Sequence, residues 1–287
     1  MLYRSISLLV LLVLLAGAVW AKAKGPTAQT LIDRSDAVYY YPQAGGVTDL
    51  AVDVAIAQVA NDPVAGKALI TFCYQGKDQR EFVVSNLPEG QDKLRAVLLN
   101  MVAPLGEYVI PRASAEAFVG MKTRVLKVLR ELAGRSGMTY YQLIGTPTDD
   151  TSPLKAYRVL VDAQGLAHQV ETEGRDGSVV AARIENTQIG DKWVITKIST
   201  RVLGKDSAQW EIATVQYGEV DGITLPERIT IQHRNAFDQP IKEMPDFTFN
   251  FTNYRINQGA AAALLPPPPA PAPEPSPEAA PAADVKD

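Results

Sequence analysis

The chain has 287 residues, with 28 Lys and Arg against 32 Asp and Glu, for a formal net charge of −4. That balance provides no broad basic face, which excludes nucleic acid as an expected partner and gives no attraction to anionic lipid surfaces. The one cysteine, Cys73, excludes an internal disulfide, so stability has to come from the core.

The first residues have the form of an export signal. Arg4 gives a positive start, residues 6–19 are almost wholly apolar, and Val19-Trp20-Ala21 offers small residues at a cleavage point. The apolar run is shorter than the roughly 20 residues that a spanning helix needs. Residues 1–21 are therefore expected to be removed rather than kept as an anchor, placing the protein in the periplasm or otherwise outside the cytoplasm. No Cys stands at the cleavage point, so lipidation of the protein itself is not expected. Residues 22–258 are expected to form one domain and residues 259–287 a separate tail.

Gly45-Gly46 precedes a pattern that predicts a helix over 47–60, with Thr48 and Asp49 in its first turn and Asn61-Asp62-Pro63 as its stop. Residues 67–75 and 81–86 read as two short strands from their Ile, Thr, Phe, Tyr and Val content. Cys73 lies in the first of these, as a buried small apolar residue rather than a reactive thiol. Two helices are predicted next. Residues 88–102 carry Leu94, Val97, Leu98 and Met101 on one stripe. Residues 113–134 carry Phe118, Met121, Val125, Val128, Leu129 and Leu132 at helical spacing, with Gly134 as C-cap. Lys122, Arg124, Lys127, Arg130 and Arg135 make the other face basic, and Glu116 and Glu131 interrupt that charge, which favours a solvated face over membrane contact. Residues 138–145 return to strand, and 146–152 are a polar loop.

From Leu154 to Asn257 the chain reads as a ladder of antiparallel strands. Asp162-Ala163-Gln164-Gly165, Gly174-Arg175-Asp176-Gly177, Gly190-Asp191, Gly204-Lys205-Asp206 and Asp221-Gly222 mark five tight turns. Short links of this kind build a meander, and a long meander must curl or leave an open edge. Alternation puts Phe247, Phe249 and Phe251 on one face and Asp246, Thr248, Asn250 and Thr252 on the other. Tyr157, Val159 and Val161 form a similar row, as do Ile229 and Ile231. After Gln258 the composition changes, and residues 266–287 are dominated by Pro and Ala. Such a segment cannot bury a core and is expected to be a disordered, polyproline-like tail.

No catalytic set is legible. His168 and His233 lie in different strands without metal-ligand neighbours, so no metal or other cofactor is expected. No G-x-S-x-G elbow or Gly-rich phosphate loop occurs. Glu171, Glu173, Asp176 and Glu185 scatter around one hairpin, as a solvated face does, rather than pairing across a cleft. The protein is not expected to be an enzyme. What remains is apolar enclosure: Trp193, Ile195, Trp210, Ile212, Ile229, Ile231, Phe247, Phe249 and Phe251 are the expected lining of a hollow, with an ordinary filled core as the alternative.

The ladder resembles the LolA-like family of periplasmic proteins, the lipoprotein carriers and outer-membrane lipoprotein-sorting proteins. The likeness is carried by Tyr157-Arg158-Val159-Leu160-Val161-Asp162 with Gly165-Leu166-Ala167-His168-Gln169-Val170-Glu171. Lys192-Trp193-Val194-Ile195-Thr196-Lys197-Ile198 and Tyr217-Gly218-Glu219-Val220-Asp221-Gly222-Ile223-Thr224-Leu225-Pro226 extend it. The resemblance implies an α+β fold in which a strongly curved antiparallel sheet, an incomplete β-barrel, wraps two or three helices. It also implies a hollow that takes acyl chains. Two features depart from a typical carrier, the long insertion over 88–137 and the Pro-rich tail. The function expected is non-enzymatic binding or carriage of lipid or of acylated protein, by a monomer. The alternative is an envelope interaction or regulatory module of the same fold that docks a protein partner, for instance through the tail, without carrying lipid.

Overall fold

In the computed structural model, residues 25–76, 79–129, 139–203 and 209–265 are described. Twelve strands form one sheet in the order β3-β2-β1-β12-β11-β10-β9-β8-β7-β6-β5-β4, and every neighbouring pair is antiparallel. The strands are β1 Asp49–Ile56, β2 Leu69–Gln75, β3 Gln79–Ser85, β4 Met121–Leu129, β5 Thr139–Pro147 and β6 Leu154–Asp162. The remainder are β7 Ala167–Gly174, β8 Val179–Ile189, β9 Lys192–Leu203, β10 Trp210–Val220, β11 Ile223–Arg234 and β12 Phe247–Ile256. From β4 to β12 the chain is a continuous meander. β12 then pairs with β1, and β3 and β4 are left as the two edges, so the sheet is open. Register shifts between Ala51 and Asp53, between Gln216 and Tyr217 and between Glu185 and Asn186 insert extra residues that bend the strands locally.

Five α-helical segments occur among the described residues: α1 Ala28–Val38, α2 Asp92–Val102, α3 Gly106–Val109, α4 Ser114–Ala117 and α5 Ala260–Leu264. α1 begins at Thr27, whose side chain accepts from the Thr30 amide. The sequence reading placed no element there. It is seated by a close approach: the Ser35 hydroxyl donates to the Gly165 carbonyl at 2.6 Å, and a Cβ on Gly165 would stand 2.7 Å from the Ser35 nitrogen. Gly165 also has φ of +101°, so only glycine fits both the turn and the helix above it.

Two expected helices are strands. In place of the helix expected over 47–60 the chain forms β1, because Leu50, Val52, Val54 and Ile56 alternate and are all buried. On the other face Asp53 is satisfied, since it accepts from Thr71 and Arg255. Residues 113–129 of the second expected helix contain the one-turn α4 and then β4, which pairs with β5 along its whole length, and residues 130–134 lie outside the described residues. The strands expected at 67–75 and 81–86 and the helix at 88–102 appear as β2, β3 and α2, with ends shifted by a few residues. The tight turns at Asp162–Gly165, Gly174–Gly177, Gly190-Asp191 and Asp221-Gly222 join the expected strands. At the last of these, both residues have positive φ. The turn at Gly204-Lys205-Asp206, the signal at 1–21 and the tail at 266–287 lie outside the described residues. The first residues of the expected tail form α5, which covers Cys73 with Ala261 and Leu265. Burial there pushes the Cys73 thiol up to about 11, which keeps it a protonated core residue.

Two apolar clusters sit on one side of the sheet. The larger joins β1–β3 and β10–β12 to α2 and α3 through Phe72, Leu98, Val102, Leu105, Ile229 and Phe249. The smaller joins α1 and Phe118 to β5–β7 through Leu31, Ile32, Leu143, Val159, Val161 and Ala167. Each fully buried side chain of this size contributes about 1.5–3 kcal/mol.

Candidate ligand cavity

A cavity of about 420 Å³ adjoins both clusters. Its floor is sheet: Leu143 of β5, Tyr157, Val159 and Val161 of β6, Val170 of β7 and Ile184 of β8. Trp193, Ile195 and Ile198 of β9 and Tyr217 of β10 continue that floor. α1 supplies Leu31, Ile32 and Ser35, and the segment after it supplies Tyr39, Tyr40 and Tyr41. α3 and α4 close it with Tyr108, Val109, Ala117 and the following Phe118. The floor follows from period 2. Along β6 the residues Tyr157, Val159 and Val161 face the cavity, while Arg158 points away to pair with Glu171 and Glu173.

The expected lining set divides three ways. Trp193 and Ile195 line the cavity. Ile229, Phe249 and Phe251 are buried in the larger filled cluster, and Ile231 and Phe247 pack against it, so these five fill space rather than enclose it. Trp210 and Ile212 leave β10 from the opposite face to Ala213 and Val215. There the Trp210 ring has the Arg183 and Arg201 guanidiniums 5.6 and 4.9 Å from its centroid. Missed by the sequence reading were the β6 row as lining, the three consecutive tyrosines, and all of α1. The row was legible as alternation. The α1 contribution was signalled by Leu31, Ile32, Ser35 and Tyr39 at helical spacing behind a Thr cap.

The wall is apolar but carries many hydroxyls, most of which are held by the protein. Tyr39 donates to Asn186 at 3.0 Å and accepts from the Ala167 amide, and burial pushes its hydroxyl up to about 12. Tyr40 accepts from the Thr224 amide, Tyr41 donates to Asp36, and Tyr217 donates to the Ile195 carbonyl. Tyr108 and Tyr157 have no hydrogen-bond partner among the described residues. Burial, helped by the Glu211 charge, pushes Tyr108 up to about 12, and burial alone raises Tyr157. Both are therefore protonated phenols at neutral pH and can donate. The charged residues on the wall are Glu107 and Arg112, which pair at 2.9 Å with side chains 49% and 61% exposed.

Among the described residues no catalytic arrangement accompanies the cavity. His168 Nε2 donates to the Asp162 carboxylate at 3.0 Å in a turn, and His233 contacts the Pro245 carbonyl at 3.1 Å. Glu173 pairs with Lys155 and Arg158, and Glu185 with Lys197, so the acidic scatter is a paired sheet face. Among the described residues no group of His, Cys, Asp and Glu is placed to hold a metal. No helix of the described residues is long and apolar enough to cross a membrane.

No family model and no curated protein matches the chain. Among solved structures, it is similar to a crystal structure of a domain assigned as an outer membrane lipoprotein-sorting protein, from Vibrio parahaemolyticus. The similarity covers 81% of this chain and 94% of that one, at 13% identity and a TM-score of 0.29.

Proposed function

We propose that the protein is a non-enzymatic binding or carrier protein of the periplasm that takes up the acyl chain of a lipid or an acylated protein. The observation that carries this reading is the cavity of about 420 Å³ between β5–β11 and the helices α1, α3 and α4, walled almost throughout by apolar and aromatic side chains. Pockets of a few hundred Å³ with apolar walls and few polar groups are the usual form of small-molecule sites. The driving force is burial, at about 0.8 kcal/mol per methylene. Entry and release need α1 and α4 to move off the sheet, which breaks the Ser35–Gly165 hydrogen bond and the Tyr39–Trp193 bridge but no pair of the twelve-stranded ladder.

The test is direct. The protein purified without detergent is extracted with organic solvent and the extract analysed by mass spectrometry, alongside titration with a fluorescent fatty acid. Co-purifying acyl lipid and saturable uptake are expected. An empty extract together with no uptake would overturn the reading. It would leave the alternative, a module that docks a protein partner. One feature favours that alternative, the Trp210 ring held between two arginines on the outward face of the sheet.

A further inference from the structure

The cavity's size and its remaining hydrogen-bond donors narrow the ligand class, given the reading above that the cavity takes acyl chains. A methylene is close in size to a water molecule, which occupies about 30 Å³ of liquid. The 420 Å³ cavity therefore holds about fourteen chain carbons. That is one chain. The second and third chains of a diacyl or triacyl lipid would stay in water.

The charged residues of the wall mark the place for the polar end of the ligand. Of the residues on the wall, only Glu107 and Arg112 are charged, and they border a second, smaller and more polar cavity of about 310 Å³ on the other side of α3. Arg80, Asn100 and Glu81 lie on that second cavity. Arg80 donates to the Ile110 carbonyl and stands 3.9 Å from Glu107 and 3.7 Å from Glu116, so it is already engaged. Arg112 uses its Nε on Glu107, while its two terminal nitrogens have no partner among the described residues. Tyr108 also lines the cavity, as a protonated phenol without a hydrogen-bond partner among the described residues, and the charge that acts on it is that of Glu211. Arg112 and Tyr108 are therefore donors on the wall from which a ligand oxygen can accept.

We propose that the ligand is a single-chain amphiphile, a fatty acid or a monoacyl ester. Its chain runs from the Glu107–Arg112 corner toward Leu143 and Val161, and its carboxyl or ester oxygen accepts from Tyr108 and Arg112. The charge balance of the corner, where Glu107 partly neutralises both arginines, makes the contact one of hydrogen bonding more than of net attraction. A neutral ester is therefore accepted along with a carboxylate.

The experiment uses the full chain and a series of saturated fatty acids of eight to eighteen carbons, with the methyl ester and the alcohol of the twelve-carbon member and a diacyl phosphatidylglycerol in mixed micelles. Affinity is expected to rise by up to about fourfold per methylene and to level off near fourteen carbons. The diacyl lipid is expected to bind at least about tenfold more weakly than the best single chain. Tyr108→Phe should weaken acid and ester by about fivefold. Arg112→Gln should weaken the acid by a similar factor and leave the alcohol nearly unchanged. A diacyl lipid that binds as tightly as the best single chain, or a series that keeps rising to eighteen carbons, overturns the single-chain assignment while the carrier reading stands. Variants with unaltered acid and ester affinity overturn the head-group assignment alone. If no chain of any kind binds, both fall.

Discussion

Asp162 shows how one side chain in the ladder sets the position of the cavity wall. Its carboxylate accepts from the amides of Gln164, Gly165 and Leu166 and contacts His168 Nε2 at 3.0 Å, which fixes the β6–β7 turn on which α1 rests. Burial works against the charge, but the His168 and amide hydrogen bonds outweigh it and hold the carboxyl below the usual range. A depressed native pKa contributes stability that is present above the unfolded value of about 3.9 and is lost as pH falls through the native value. Asp162→Ala leaves three turn amides without that acceptor and should cost about 3 kcal/mol at pH 7 in urea unfolding, with a smaller difference at pH 3. An equal cost at both pH values would mean that the charge plays no part. The two described tryptophans offer a second contrast, because Trp193 lines the cavity and Trp210 stands between arginines on the other face. In a Trp210→Phe background, binding of a fatty acid should shift or quench the remaining emission, whereas in Trp193→Phe it should leave emission unchanged. Trp210→Asp should likewise leave uptake intact, and loss of uptake in a folded variant would place the site on the wrong face of β10.

Among the elements, β4 is the one whose chemistry was most easily misread. Met121 and Val125 pack against the smaller cluster, and a four-residue interval satisfies helical and strand periods alike. Its Lys122, Arg124 and Lys127 looked like the wet face of a helix. In the sheet they are the charges of an exposed edge strand, where unpaired backbone groups invite a second chain. Replacing Arg124 and Lys127 with Thr should keep the fold and promote self-association, visible as a concentration-dependent increase in mass by light scattering. A variant that stays monomeric would show that the edge is covered in another way. β1 was misread for a related reason, since its Ala-rich spacing and the Thr-Asp start mimic a capped helix. The strict alternation of Leu50, Val52, Val54 and Ile56 was the better signal. The ladder from β6 to β12 was legible because its turns carry residues that only tight turns need, as Asp221 and Gly222 show with their positive φ. The inward face was harder to read. Ile229 and Phe249 have the same alternation as Val159 and Val161, and whether such a row meets packed helices or open space depends on partners far away in sequence.

At the scale of the whole molecule, one sheet serves two differently filled halves. β1–β3 with β10–β12 close on α2 and α3 around the larger buried cluster, anchored by Phe72, Leu98 and Phe249, with the smaller polar cavity beside Phe72 and Phe82. β5–β8 close on α1 and α4 around fewer buried residues and a space. Apolar walls facing an empty volume lose contact partners, so the second half should open at lower free energy than the first. Hydrogen exchange followed by mass spectrometry should find the amides of α1, α4 and β5–β7 less protected than those of β1, β2 and β12. A ligand that binds only the folded state at 100 times its Kd stabilises by about 2.7 kcal/mol, which for a domain of this size is a rise in Tm of about 5–11 °C. That gain should appear as added protection confined to the cavity half, with the other half unchanged. Val170→Trp, which puts bulk into the cavity from its floor, should abolish the ligand-dependent rise and reduce the contrast between the halves in the absence of ligand. If ligand instead protects both halves equally, the sheet unfolds as one unit and the division into a rigid half and a yielding half is wrong. If Val170→Trp keeps the full rise, the chain is held somewhere other than between α1 and β5–β8.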